Sequence, residues 1–317
     1  LASWGMLLGL AVLEGTAPPQ HLVVRWGLYA IAVGGVAFTN LWDLPTALGL
    51  LVGARLVGSL ARGELGRHWF RILRDALALA VLAVLFYLPF YLHLHADTRG
   101  VGLSPVHSHP GQFAIHWGLW LAPLAALLAA RARAGRRNLP RSGGRLILTA
   151  SALTVMAGIS LAGPIPAALA ALGALAALVF LQSLGAARRG APAMDVLLAG
   201  TILLGLVLLA GADFFYVRDV FEGSSPRLKT VFKLHYQAWL LLVPCTVSLW
   251  LRAVAETKSK KQRLLHATAI LAVLAAGLLY PIGGLVSRWE PAATLDAAAF
   301  LRAPGMGADL EVKVLYR

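Results

Sequence analysis

Long apolar runs recur along the chain near 1–13, 22–39, 44–60, 75–92, 113–130, 146–162, 167–184, 195–211, 239–254 and 264–284. A helix needs about 20 largely apolar residues to cross the hydrocarbon core of a bilayer. The pattern therefore predicts an all-α, polytopic transmembrane helix bundle of about ten spans. Sharp breaks separate the runs, at Asn40 to Pro45 and at Gly163-Pro164-Ile165-Pro166, where proline ends one helix and opens the next. The division expected is a transmembrane helical domain over 1–284 and an outward-facing C-terminal segment over 285–317. Leu1 lies inside an apolar run with no leader visible before it, so the sequence reads as a fragment whose start is missing.

Composition supports that reading. The 317 residues are 59% hydrophobic and 13% charged, with a mean hydropathy of +0.74. Soluble domains carry about 25% charged residues, so a disordered chain, a coiled coil and almost any soluble enzyme are excluded. The net charge of +14 would suggest nucleic acid in a soluble protein. Here the charges sort by side. Arg62, Arg67, Arg71 and Arg74, the group from Arg131 to Arg145, the pair Arg188 and Arg189, and the group from Arg252 to Arg263 all fall on one side when the ten spans alternate. That side holds 19 of the 28 cations and 5 of the 14 acids. Short basic loops stay cytoplasmic, so the excess is a topology signal, and the expected partner is the lipid bilayer rather than nucleic acid. A multi-pass location in the cell membrane follows, with the basic loops cytoplasmic. The single cysteine, Cys245, excludes an internal disulfide and reads as a small buried hydrophobe.

Four outward segments carry candidate chemistry. Asp43 sits where two spans meet, and it reads either as the N-cap of the third span, with Pro45 in its first turn, or as an acid lining a cavity. The stretch from Ala212 to Trp239 is the densest in polar and aromatic residues, with Asp213, Arg218, Asp219 and Glu222 ahead of Arg227. If 227–239 is helical, Arg227, Thr230, Lys233 and Gln237 share one stripe. That stripe suits a phosphate-bearing lipid, but spacing alone fits an interfacial anchoring helix better. His93, His95, His107 and His109 form two His-x-His pairs, the candidates for a metal, although the spacing fits no helix face. In the tail, Thr294 and Asp296 fit a helix start. Walker, Rossmann, nucleophile-elbow and zincin motifs are missing from the sequence.

The second segment resembles the signature of the Chlor_Arch_YYY family of polytopic membrane proteins. Phe215, Tyr216, Arg218, Asp219, Arg227, Thr230, Phe232, Lys233, Tyr236, Gln237, Ala238 and Trp239 carry the likeness, with Asn40, Asp43 and Pro45, then Leu88, Pro89 and Phe90, and finally Thr294, Leu295 and Asp296. The likeness runs from about 25 to 301. Asp213 stands where that family usually has Glu, Lys229 replaces an Asn, and Ala297 replaces a Gly. The layout is similar to the membrane part of C-type-fold glycosyltransferases, which take sugar from a polyprenyl-phosphate donor at the outer face. The resemblance implies Asp219, Asp213 and Asp43 as catalytic acids. It implies Arg218, Arg227, Lys233, Tyr216, Tyr236, Gln237 and Asn40 as substrate-binding residues. The cofactor stays open, with a divalent metal, Mg or Mn, as the candidate. The alternatives are a transporter or flippase of a lipid-linked substrate, which would need polar groups at mid-membrane, and a non-catalytic membrane scaffold.

Overall fold

The computed structural model describes residues 22–94, 100–104, 106–135, 163–218 and 226–289. Packing divides the chain into two units, Leu1–Ala253 and Val254–Arg317. In the first unit the described helices are α1 (Leu22–Thr39), α2 (Leu44–Ala61), α3 (Leu65–Phe86), α4 (Leu88–Leu92), α5 (Pro110–Ala134), α6 (Pro164–Ala187) and α7 (Met194–Phe214). The helix α8 (Leu228–Glu256) ends at the boundary, and α9 (Lys260–Trp289) belongs to the second unit.

Among the described residues six helical segments are long and apolar enough to cross a membrane, with a shorter apolar stretch at Trp26–Thr39. The spans expected at 1–13 and 146–162 lie outside the described residues. The span expected at 75–92 is differently built. Its helix begins at Leu65, so most of the basic segment is helical, and it breaks at Tyr87 before the short α4. Pro89 lies in the first turn of α4, where a missing N–H costs nothing. The run expected at 239–254 is only the second half of a continuous helix that starts at Leu228. The all-α expectation also omits one small feature: β1 (Val101–Leu103) and β2 (Phe215–Val217) pair antiparallel, with Gly102 opposite Tyr216.

The core lies where α1, α2, α3, α7 and α8 meet, around Val33, Val36, Leu50, Leu51, Leu79, Val196 and Leu241. Small residues bring helices close, as membrane packing requires without a hydrophobic drive between spans. A Cβ on Gly34 would lie 2.4 Å from the Tyr87 ring and 2.8 Å from the Ala83 carbonyl oxygen, so only glycine lets α1 approach α3 there.

The helices give the bundle two chemically distinct ends. The ends of α2, α5 and α6, with Arg62, Arg131, Arg133, Arg188 and Arg189, gather with the start of α7, and Arg188 donates to the Leu60 carbonyl at 3.2 Å. The junction of α1 with α2, the end of α7, the start of α8 and the segment ahead of α5 gather at the opposite end.

Candidate functional site

That second end holds two polar stations joined by α8. The first forms at the turn between α1 and α2. Thr39 donates its hydroxyl to Val36, Asn40 is extended, and a single 3-10 turn over Leu41–Asp43 leads into α2. Asp43 stands at the N-cap of α2, yet its side chain makes no capping bond. The carboxylate is instead buried, 4% exposed, and its Oδ1 accepts from Asn40 Nδ2 at 2.5 Å and from Gln237 Nε2 at 2.6 Å. Gln237 is fully buried, and its Oε1 accepts from the Thr46 hydroxyl at 2.5 Å. Its Nε2 also reaches the Trp42 carbonyl at 3.2 Å. Lys233, one turn earlier on α8, holds its ammonium 5.7 Å from the centre of the Trp42 ring, a cation–π contact.

The second station lies at the end of α7. Asp213 is 2% exposed, and its Oδ1 accepts from Arg227 Nη2 at 2.7 Å and from the Ser108 backbone N–H at 2.8 Å. Its Oδ2 is buried with no hydrogen-bond partner among the described residues. His107 Nδ1 lies 3.6 Å from that oxygen and 3.2 Å from the Asp213 carbonyl. Arg227 acts as a clamp. It donates to the Ala212 carbonyl from Nε and Nη2, to the Val106 carbonyl from Nη1 at 2.6 Å, and to the Ser108 hydroxyl from Nη2 at 3.1 Å. One guanidinium thus ties α8, the end of α7 and the segment before α5 together, a task its planar fork suits.

The β1–β2 pair seals this corner. The ladder extends through Ser104 N–H to the Phe214 carbonyl and Arg218 N–H to the Gly100 carbonyl, each at 2.9 Å. A Cβ on Gly102 would meet the Tyr216 ring at 2.7 Å, which is why the residue opposite Tyr216 has no side chain. Thr230 of α8 accepts the Val217 N–H on its hydroxyl at 2.8 Å.

The stripe Arg227, Thr230, Lys233 and Gln237 is therefore one face, and it turns into the bundle. Thr230 is 5% exposed, whereas Phe232 is 72%, Tyr236 40% and Trp239 42% exposed on the other face. A surface-lying anchor helix would have its charges in water and its aromatics in the apolar boundary, away from the protein core. Here the polar face is the one packed on protein. Next to it, His235 accepts on Nδ1 from the buried Trp117 indole N–H at 3.1 Å, with the Phe113 and His116 rings close by.

The expected residues divide as follows. Asn40, Asp43 and Gln237 meet directly, and Lys233 caps the neighbouring Trp42. Asp213 and Arg227 pair, Tyr216 is buried in the hairpin, and Arg218 is exposed beside it. Tyr236 lies on the outer aromatic face. Asp219, His95, Thr294, Leu295 and Asp296 lie outside the described residues. His93 Nδ1 sits 2.8 Å from the Pro89 carbonyl, and no group of three or more His, Cys, Asp or Glu side chains with metal-binding geometry occurs among the described residues. Sequence reasoning missed Thr46, which only the folded chain brings to Gln237, and Ser108, which it brings to Asp213.

A family profile described as an uncharacterized membrane protein, DUF2298, matches residues 3–242. No curated protein and no solved structure matches the chain.

Proposed function

The chain belongs to the uncharacterised membrane protein family DUF2298, and from that premise we propose that it is an integral-membrane glycosyltransferase. In this reading it moves a sugar from a polyprenyl-phosphate donor to an acceptor hydroxyl at the end of the bundle that carries Asp43 and Asp213, the face turned away from the cytoplasm. The observation that carries the reading is the inward polar stripe of α8, which links two buried acids while presenting Phe232, Tyr236 and Trp239 outward. A polyprenyl chain would run along that apolar aromatic face.

The chemistry divides among residues with different freedom. Asp213 is fixed on one oxygen by Arg227 and Ser108, and its second oxygen faces His107, whose side chain is 40% exposed. His107 is placed to take the acceptor proton as general base, with Asp213 steadying the imidazolium. The acceptor oxygen bonds to the sugar carbon as the bond from that carbon to the donor phosphate breaks. Polyprenyl phosphate departs with the electron pair. Lys233 and Arg218 hold that phosphate as cations, while Arg227 positions Asp213. Asp43 lines the same end of the bundle, Asp219 keeps the role of catalytic acid that the resemblance implies, and the cofactor stays open, with Mg or Mn as the candidate.

The test is transfer of radiolabelled sugar from a polyprenyl-phosphate donor in membranes that overproduce the protein. Transfer is expected to rise with expression and to fall by about 10²–10⁴-fold in His107→Gln, the range for loss of a general base. Absence of expression-dependent transfer overturns the activity. Full turnover in His107→Gln overturns the assignment of the base.

A further inference from the structure

The segment from Lys258 to Arg263 carries four cations in six positions, and no acid follows it as far as Trp289. It lies within the second unit. The backbone is irregular over 257–259 and enters α9 at Lys260. Ser259 opens that helix. Its carbonyl accepts from the Arg263 N–H at 3.0 Å, and its hydroxyl accepts from the Gln262 N–H at 3.5 Å.

The fold makes little use of these cations. Lys258, Lys260 and Lys261 are exposed and make no ion pair or hydrogen bond among the described residues. Arg263 is exposed too, and its Nη2 donates to the Thr257 carbonyl at 3.2 Å. Other basic residues are engaged within the protein: Arg74 grips Asp75, Arg188 holds the Leu60 carbonyl and Arg252 pairs with Asp195. Three lysines within four positions, all turned to the outside, therefore call for a partner outside the chain.

Their place in the helix says which. The stretch Lys260–Val286 is long and apolar enough to cross a membrane, and Leu264 and Leu265, directly after Arg263, are exposed. A span that enters hydrocarbon at Leu264 sets the cations before it at the level of the headgroups, where flexible lysine stems carry the ammonium to the phosphates. We propose that Lys258, Lys260 and Lys261 bind the anionic phospholipid headgroups of the leaflet in which α9 begins. The contact is diffuse and shared among several headgroups. An ammonium is a compact point charge that imposes no planar fork on its ligand, so the contact selects for charge and not for headgroup shape. Basic segments beside membrane spans are attracted in this way to a negatively charged leaflet. The patch takes no part in the proposed sugar transfer.

The test is fluorescence quenching of the full chain in lipid nanodiscs. Gln262→Cys carries the fluorophore, because Gln262 is exposed while the native thiol of Cys245 is buried. A nitroxide near the glycerol backbone is the quencher, borne by phosphatidylglycerol, phosphatidylserine or phosphatidylcholine in otherwise identical discs. The two anionic lipids are expected to quench alike, at about fivefold lower mole fraction than phosphatidylcholine, the scale for one lysine beside an anionic surface. Molar salt is expected to abolish the difference by screening. Replacing Lys258, Lys260 and Lys261 together with Gln is expected to abolish it at low salt, and the salt arm tests the same charges in a chain that keeps its lysines. Equal quenching by phosphatidylglycerol and phosphatidylcholine, or a preference that survives salt or the triple replacement, would overturn the proposal. A preference between the two anionic lipids would overturn the diffuse contact in favour of a shaped site.

Discussion

Gln237 donates its side-chain amide to Asp43 at 2.6 Å, across 194 positions of sequence. The same side chain accepts from Thr46, so one amide satisfies both an acid and a hydroxyl in the protein interior. Gln237→Leu removes the donor and the acceptor together and leaves the buried Asp43 held by Asn40 among the bonds described here. A buried polar group that loses its partner costs about 1–3 kcal/mol, more when charged. Gln237→Leu is thus expected to lower the unfolding midpoint in detergent clearly more than Asp43→Asn, which keeps an oxygen to accept. Equal midpoints for the two variants would remove Gln237 as the organiser of this station.

The Arg227–Asp213 pair is buried, with side chains 11% and 2% exposed. Breaking a buried pair by removing one partner costs about 3–5 kcal/mol. Arg227→Met is expected to fall in that range, since it strands Asp213 and also frees the Ala212 and Val106 carbonyls. Arg227→Lys keeps the charge but not the fork, so it should recover only part of the loss. Chemical unfolding of the three proteins measures the order, and full recovery by lysine would contradict the clamp.

The ion pairs at the other end are expected to differ in weight. Asp195 and Arg252 are each 36% exposed. Exposed pairs contribute about 0–1 kcal/mol and are screened by salt, so Asp195→Asn should shift stability by less than about 1 kcal/mol. Asp75 is 8% exposed and is gripped by Arg55 at 2.7 Å and by Arg74 at 2.8 Å. Asp75→Asn should cost about 1.5–3 kcal/mol, the scale of hydrogen bonds to charged groups. A thermal comparison at low and high salt separates the two, with only the Asp195 effect fading.

Gly34→Ala should be destabilising by about 1–3 kcal/mol, the scale of overpacking, because the added carbon meets backbone as well as the Tyr87 ring. Gly27→Ala on the same helix has open space and serves as the control. If the pair unfolds at the same temperature, α1 and α3 are not held at the distance described.

Much of the bundle was readable in the residues, and the limits have physical causes. The runs at 22–39, 44–60 and 195–211 became α1, α2 and α7 nearly end to end, because their apolar composition is set by the bilayer. The first third of α8 was not readable as part of a span. Lys229, Lys233, His235 and Gln237 give it the look of a surface segment, and only tertiary partners turn that polarity inward. Asp213 and Arg227 lie in one segment, so their pairing was within reach, whereas Ser108 and His107 come from more than a hundred positions away. Asp43 was expected either to cap α2 or to line a site. Its helix position fits a cap, but Gln237, whose place on the α8 stripe was legible and whose contact with Asp43 was not, takes the carboxylate.

The inward polarity of the start of α8 also bears on how the chain is assembled during synthesis. Thr230, Lys233 and Gln237 would be costly to place beside hydrocarbon without partners. Those partners, Trp42, Asp43, Thr46 and Val217, all precede α8 in the chain. A ribosome working from the N-terminus therefore releases α2 and α7 first, and the receiving groove exists before the helix that needs it emerges. The polar first third of α8 is then expected to enter by docking onto protein, and its apolar remainder to behave as an ordinary insertion segment.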